Sequence, residues 1–204
     1  MPTSPSNIRE QLPKIILGVL LVYFLSLFYQ ALDVVNRRHI NTRDGIYINS
    51  TTQTPYIKNL AITLSKHCHN DLCRVQTILD YVTNIPYKIN HFQAHSPQET
   101  IQKNFGDCDD KSNLLISLLH ELGIESYFVL VPHHIFVIAA VNDIHLQHLV
   151  KGLYIQGKKY YILESTAKNS VVGFPLRYPL DQIKAIIDPF ENKKIDIGNL
   201  EWRR

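Results

Sequence analysis

The spacing of hydrophobic and polar residues changes several times along the chain, and each change predicts the start of another helix or strand. The first is an apolar run, IILGVLLVYFLSLFYQAL, from Ile15 to Leu32, which carries no formal charge over about 18 residues. A helix that spans a bilayer needs roughly 20 apolar residues, and a run that is apolar on every side is not a surface helix of a domain. Residues 29–31, Tyr-Gln-Ala, lack the small-x-small pattern of a cleavage site. We therefore predict an uncleaved membrane helix over residues 15–35.

Helical spacing of apolar residues predicts four further helices. They are Tyr56–Lys66, Asp71–Asn84, a short helix capped by Ser96, and Asp109–Leu122. The last of these has leucines at positions 114, 115, 118, 119 and 122 on one face, and Gly123 follows as a C-cap glycine. We expect its leucine face to lie in the core.

Apolar and β-branched runs follow the last of these helices and predict strands. The runs are Glu125–Val131, His134–Val141, Leu153–Ile155 and Lys159–Glu164. The last two runs predict a hairpin around Gln156 and Gly157, whereas the stretch from Asn142 to Gly152 is longer than a tight turn. Helices followed by strands are typical of an α+β domain, so we predict an antiparallel sheet packed on the central helix.

The length of the chain, 204 residues, suits one folded domain with an appendage. We predict an N-terminal tail at 1–14, a transmembrane anchor at 15–35, a linker at 36–54 and the folded domain at 55–204. The linker is polar and has no sustained period, with one short predicted strand at Gly45–Asn49.

Charge excludes one class of partner and leaves the membrane orientation open. The formal net charge is +3 and the basic residues are scattered, which argues against a nucleic-acid surface. Arg9 and Lys14 precede the anchor and three arginines follow it within residues 37–43, so the excess of positive charge favours neither side. The predicted partner is the lipid bilayer, through residues 15–32, with no nucleic acid.

Two of the three cysteines, Cys68 and Cys73, flank a predicted helix break at Asn70. A break there allows a disulfide, which would imply an oxidising compartment. Two small buried side chains at a helix corner are the alternative, and a zinc site with His67 and His69 is a third. The expected location of the domain leans to the extracytoplasmic side because of the disulfide option.

The third cysteine, Cys108, lies at the start of the leucine-rich helix. Asp107 is a predicted N-cap and Asp110 occupies the N3 position of a capping box. Unpaired N–H groups and the helix dipole favour a thiolate at this place, whereas Asp107, Asp109 and Asp110 oppose it. A cysteine nucleophile here therefore needs a cationic partner.

Two adjacent histidines are candidates for that partner. His133 and His134 stand at the start of a predicted strand, and spacing alone leaves both open. Glu164, at the end of the next paired strand, is the candidate acid that would orient the imidazole.

These residues together resemble the transglutaminase-like superfamily of papain-like thiol enzymes, over about Ile78–Thr166. The matching segments are ILDYVTNIPYKI, GDCDDKSNLLISLLHELGIES, a histidine followed after one residue by an aromatic, and an acid before Ser-Thr. By this resemblance Cys108 is the nucleophile, His134 with Phe136 is the His-x-aromatic element, and Glu164 is the orienting acid. Aspartate is commoner than glutamate at the last position.

The resemblance also implies further site residues. The backbone of Cys108 would supply one oxyanion donor, and Tyr87 is a candidate for the second. Some bacterial cysteine proteinases of this superfamily bind calcium through acids beside the nucleophile, so Asp107, Asp109 and Asp110 are candidate calcium ligands. Helix capping explains the same residues, and we expect no cofactor to be required.

The predicted function is therefore that of a membrane-anchored thiol enzyme acting on amide bonds of a protein or peptide through an acyl-enzyme, with peptide hydrolysis as the first choice. Acyl transfer of the transglutaminase type is an alternative. So is a catalytically silent binding domain. A zinc or nucleic-acid module has little support, since His145 and His148 stand on a short segment without a second ligand pair.

Overall fold

The computed structural model describes residues 5–36, 38–42, 45–90 and 93–204. The chain divides into two units, Met1–Arg38 and His39–Arg204. The first unit contains helix α1 (Pro5–Asn36). Within α1, Gln11–Tyr29 is long and apolar enough to cross a membrane, as a membrane anchor or a signal sequence would be. The predicted apolar N-terminal helix is thus confirmed.

The second unit is built of helices followed mainly by strands. Its helices are α2 (Pro55–Ser65), α3 (Asp71–Asn84), α4 (Pro97–Lys103), α5 (Cys108–Glu121) and α6 (Ile144–Leu149). Its strands are β1 (Arg38–Thr42), which begins at the unit boundary, β2 (Gly45–Asn49), β3 (Ser126–Val131), β4 (His134–Ala139), β5 (Gly152–Ile155), β6 (Lys158–Leu163), β7 (Ala185–Asp188), β8 (Lys193–Ile195) and β9 (Glu201–Arg203). This arrangement confirms the predicted α+β class.

Side-chain caps define where the helices begin. Thr54 accepts from the Ile57 N–H before α2, and Asn70 accepts from the Cys73 N–H before α3. Ser96 forms a capping box with Glu99 at the start of α4. Each cap satisfies N–H groups that lack a partner within the helix, so these polar residues fix the starts of the helices.

Helix α5 lies at the centre of the domain. Every residue from Asp110 to Leu119 is buried, because α2, α3 and α4 pack on one side of α5 and β3 and β4 on the other. Gly123 follows with a φ of +72°, a left-handed conformation that suits glycine after a helix. The central leucine-rich helix predicted from the sequence is therefore confirmed.

The sheet is antiparallel and its strand order is β8-β7-β3-β4-β6-β5-β9. Strands β3 and β4 form a hairpin in which Val131 lies opposite His134, and β4 pairs with β6 so that Val137 lies opposite Leu163. The start of β4 and the end of β6 therefore meet at one edge of the sheet. One face of the sheet packs on α5, and the segment Phe174–Tyr178 packs on the other.

The segment assigned to a linker, residues 36–54, is where the structure departs most from the predicted organisation. Its strands β1 and β2 pair, Ile40 is buried in the core, and the Tyr47 ring packs edge-on against Phe128 at 5.7 Å. The Asn49 side-chain amide donates to the Pro189 carbonyl. The folded unit thus begins at His39 rather than at residue 55, because Ile40, Asn49 and Thr51 of this polar segment are buried.

Candidate active site

Cys108 is the first residue of α5, and the cap of this helix shapes its surroundings. The Asp107 carboxylate accepts from the N–H groups of Asp109 (3.1 Å) and Asp110 (3.3 Å), and Asp110 accepts from the Asp107 N–H (3.4 Å). Within this first turn, the Cys108 N–H has no acceptor among the described residues. The capping box predicted from the sequence is present, and it leaves the backbone donor of Cys108 available for a ligand.

His134 and Glu164 form a hydrogen-bonded pair at the edge of the sheet. The Nε2 atom of His134 lies 2.9 Å from Oε2 of Glu164. The other carboxylate oxygen, Oε1, accepts from the backbone N–H (3.1 Å) and the hydroxyl (2.6 Å) of Thr166. These bonds lower the pKa of Glu164 although its burial acts in the opposite direction. Glu164 is held as a carboxylate, and Nδ1 is the His134 nitrogen available to a thiol.

Ser112, one turn after Cys108, connects the elements that carry these residues. Its hydroxyl lies 3.2 Å from the Ser165 hydroxyl and 3.5 Å from the Ile135 carbonyl. Ile135 follows His134, and Ser165 follows Glu164. The helix with the cysteine, the strand with the histidine and the end of β6 are therefore joined by one buried serine.

One cavity of about 420 Å³ brings Cys108 and both candidate histidines together. Ile46 and Tyr47 of the β1–β2 hairpin form part of its wall, so the segment assigned to a linker contributes to the site. Among the described residues no hydrogen bond joins Cys108 to His134. The Cys108 thiol instead donates to Asp109 Oδ1 at 3.8 Å. Catalytic hydrogen bonds are often long without substrate and shorten in the reacting complex.

Comparison with known proteins places this site in a family. The family model described as the transglutaminase-like superfamily matches residues 58–165, which is more than half of the chain and includes Cys108, His134 and Glu164. The chain belongs to the transglutaminase-like superfamily.

Solved structures with some likeness to the chain include two bacterial proteins. One is a candidate cysteine protease from Cytophaga hutchinsonii, with a TM-score of 0.43 and 20% identity over 73% of this chain and 48% of that chain. The other is a candidate protease from Parabacteroides distasonis, with a TM-score of 0.45 and 17% identity over 70% of this chain and 28% of that chain. The chain therefore spans about half and about a quarter of their lengths. No curated protein matches it.

The thiol of this transglutaminase-like domain is strongly disfavoured as a thiolate at rest. Burial, followed by the negative charges of Asp109 and Asp107, raises the pKa of Cys108 to about 12. A backbone hydrogen bond from Ile135 acts in the opposite direction without offsetting these effects. Burial and the neighbouring Asp107 and Asp110 also raise the pKa of Asp109 to about 6, so Asp109 is largely charged at neutral pH. The acids oppose the thiolate as the sequence indicated.

Asp109→Asn is expected to accelerate alkylation of Cys108 by iodoacetamide at pH 7. The substitution removes the nearest negative charge, so the thiol pKa falls, and each unit of fall raises the thiolate fraction roughly tenfold. Cys108 is the free cysteine of the chain, since Cys68 and Cys73 are bonded to each other. The measurement is the alkylation rate against pH. Asp71→Asn, on α3, is the matched control, and an unchanged or slower rate in Asp109→Asn would contradict the assigned cause.

Two buried residues near the site were not predicted from the sequence. Lys111 is 1% exposed and donates to the carbonyls of Thr83 (3.3 Å) and Ile85 (2.8 Å), and burial lowers its pKa to about 8. It ties α5 to the end of α3. The available signal was its position four residues before Leu115, on the leucine face of the predicted helix.

The second missed residue is His95. Its backbone N–H donates to Asp110 Oδ1 (2.5 Å), its Nδ1 lies 3.0 Å from Asp110 Oδ2, and its Nε2 lies 2.9 Å from the Lys103 ammonium. His95 and Asp110 are both buried. This contact fixes the first turn of α5 from the side of α4. The only signal in the sequence was the position of His95 next to the Ser96 cap.

Tyr87, the candidate oxyanion donor, lies beside the nucleophile. Its backbone pairs with that of Gly106, two residues before Cys108. Burial raises the pKa of its hydroxyl, and the charges of Cys108, Asp107 and Asp109 add to this effect. Tyr87 is 53% exposed, so its side chain remains accessible to a ligand. Its assignment as a donor stays a prediction.

Two of the three candidate calcium ligands, Asp107 and Asp110, serve as helix-capping groups. Asp107 and Asp110 accept backbone N–H bonds, as described above, and Asp109 lies beside the thiol. Among the described residues there is no group of three or more His, Cys, Asp or Glu side chains arranged to hold a metal ion. Calcium binding at these residues stays an untested prediction.

The two remaining cysteines, Cys68 and Cys73, form a disulfide across the corner between α2 and α3. Their Cα atoms lie 5.4 Å apart, and the Asn70 cap between them turns the chain. Of the three alternatives left open by the sequence, the structure contains the disulfide, which uses both sulfurs that a zinc site would need.

Proposed function

We propose that the chain is a membrane-anchored thiol enzyme that hydrolyses amide bonds of peptides through Cys108, His134 and Glu164. The observation that carries the proposal is the His134–Glu164 hydrogen bond of 2.9 Å at the wall of a cavity that also holds the Cys108 thiol. Membership in the transglutaminase-like superfamily supports a thiol enzyme in general.

The first chemical step follows from the raised pKa of Cys108. Because the thiol is protonated at rest, we infer that His134 acts as a general base during attack rather than as half of a preformed ion pair. Sγ of Cys108 bonds to the substrate carbonyl carbon while its proton passes to Nδ1 of His134. Glu164 stabilises the imidazolium that results, and the free Cys108 N–H stabilises the oxyanion.

The second half of the reaction regenerates the thiol. His134 gives its proton to the leaving amine, the C–N bond breaks, and a thioester on Cys108 remains. A water molecule then loses a proton to His134 and attacks the thioester. The C–S bond breaks, the product leaves as a carboxylic acid, and His134 returns the proton to the sulfur of Cys108. Water has access, since exposed Ile46 and His133 line the cavity. Solvent access favours hydrolysis over acyl transfer to an amine.

The cellular placement rests on two features. The apolar segment Gln11–Tyr29 supports a membrane anchor, and the Cys68–Cys73 disulfide supports a catalytic domain on the oxidising, extracytoplasmic side. The proposed partners are accordingly the lipid bilayer and a protein or peptide substrate.

Peptide cleavage by the full-length chain in detergent tests the proposal. The chain is incubated with a mixed peptide pool in water containing oxygen-18, with and without a primary amine such as cadaverine. Hydrolysis predicts new carboxyl ends that carry the heavy oxygen. Amine-bearing products would instead indicate acyl transfer, and the absence of both products would leave the binding-domain alternative.

Glu164→Gln is expected to lower the rate of peptide hydrolysis by roughly tenfold to a hundredfold, with little change in KM. The amide keeps the shape of the side chain but removes the charge that stabilises imidazolium, and this interaction matters most in the transition state. The measurement is kcat and KM on a fluorogenic peptide.

Glu164→Asp tests how the hydrogen bond to His134 depends on the length of the acidic side chain. If a shorter acid reaches His134 through a water molecule, part of the activity survives. Thr166→Val serves as the matched control for the second carboxylate oxygen, since it removes one hydroxyl donor and leaves the acid in place. Full activity in Glu164→Gln would reduce the proposed triad to Cys108 and His134.

A further inference from the structure

A second cavity, of about 400 Å³, lies against His134 and is not used by the mechanism above. Cys108 does not line it, whereas His133 and His134 line both cavities. The rings of Phe136 and Tyr178 form part of its wall. A ligand in this second cavity would therefore contact His134, which also lines the cavity of Cys108.

The segment Phe174–Tyr178 is held firmly enough to form a binding wall. Backbone N–H groups of Gly173 (3.0 Å) and Phe174 (3.1 Å) both donate to the Ile162 carbonyl of β6. The Tyr178 ring stacks on His134, with centroids 6.2 Å apart and planes 22° apart, and on Phe136 at 6.4 Å and 14°. The wall is thus joined to the sheet by its backbone and to the catalytic histidine by an aromatic ring.

The second cavity has a cationic side chain in its wall. Arg177 lines it, and its guanidinium lies 4.7 Å from the centroid of the Phe174 ring. Glu164 is the acid among the described residues that line the cavity, and its two oxygens are already bonded to His134 and Thr166. The Arg177 cation therefore has no carboxylate partner inside the cavity.

We propose that the second cavity is a specificity site for an acidic side chain of the peptide substrate, with its carboxylate on Arg177 and its methylenes against Phe136 and Tyr178. A guanidinium presents a planar pair of donors that matches a carboxylate, and ring faces suit the apolar stem. The volume suits one side chain rather than a folded partner. This inference rests on the proposed peptide hydrolysis and names its substrate class.

The test compares three peptide pools on the full-length chain in detergent. The pools are acetylated and C-terminally amidated, and they differ only in carrying glutamate, glutamine or lysine at one fixed position, which is moved along the peptide. We expect kcat/KM for glutamate to exceed that for glutamine by about twofold to fivefold at one position near the cleaved bond, the range for a charged pair at an exposed arginine. Equal values at every position would overturn the inference.

Substitution of Arg177 tests whether the preference for glutamate over glutamine arises in the second cavity. Arg177→Gln should bring the glutamate-to-glutamine ratio close to one, and Arg177→Lys should keep part of it. Arg74→Gln is the matched control, because Arg74 pairs with Asp71 on α3 and should leave the ratio unchanged. A preference for glutamate that survives Arg177→Gln would also overturn the inference.

Two further experiments are needed. The first distinguishes a side-chain carboxylate from a C-terminal carboxylate, and the second distinguishes failure of the acidic-side-chain site from failure of the proposed hydrolase. Glutamine pools with a free C-terminus show whether a terminal carboxylate replaces the side chain, and preference for these pools alone would contradict a side-chain site. Dye-labelled pools are also titrated into Cys108→Ala by fluorescence polarisation. Tighter binding of glutamate pools that depends on Arg177, with no cleavage by the wild type, would keep the cavity assignment and reject the hydrolase.

Discussion

Cys108→Ala is expected to lower peptide hydrolysis by at least about a thousandfold, because the covalent route disappears with its nucleophile. The fold should survive, since Cys108 is the first residue of α5, is only partly buried, and is preceded by an intact Asp107 cap. The measurement is the initial rate on a fluorogenic peptide, together with a thermal melt followed by circular dichroism.

Two comparisons sharpen this result. Cys108→Ser keeps an attacking atom of similar position but lacks thiol reactivity, so its rate should stay far below that of the wild type. Asp71→Asn, remote from the cavity, should keep the wild-type rate. A Cys108→Ala variant that folds and retains a rate within tenfold of the wild type would show that another group performs the chemistry.

His134→Ala is expected to cost roughly a hundredfold or more in kcat, whereas His133→Ala should cost less than about threefold. His134 is held by Glu164 and by the Tyr178 ring, and its Nδ1 is the nitrogen available to the thiol. His133 occupies the turn of the β3–β4 hairpin with a φ of +57° and is exposed. The measurement is kcat for both variants, with melts to compare their stability.

The reverse ranking of the two histidines would mean that the cavity uses the turn residue instead.

Local patterns in the sequence were sufficient to predict α5, β3 and β4. The leucine repeat, the Asp107 cap and the C-terminal Gly123 are signals that act within one turn or one helix, so they are readable without tertiary structure. The family resemblance selected His134, and the structure places that residue beside Glu164.

Longer-range features could not be read in this way. The β1–β2 hairpin is polar, and Ile40 joins the core and Tyr47 packs against it only because the rest of the domain covers them. Strands β7 to β9 are short, and they depend on partners from distant parts of the chain. The contact between His95 and Asp110 likewise joins a loop to a helix across 15 residues. Tertiary packing decides such cases, whatever the local preference.

Trapping of the acyl-enzyme identifies the nucleophile directly. The full-length chain is mixed with a short peptide thioester, quenched in acid after single turnover, digested and mapped by mass spectrometry, with His134→Ala treated in parallel. We expect the mass of the peptide acyl group on Cys108 in the wild type and much less of it in the variant. An acyl group on another residue, or turnover of the thioester with Cys108 unmodified throughout, would contradict it.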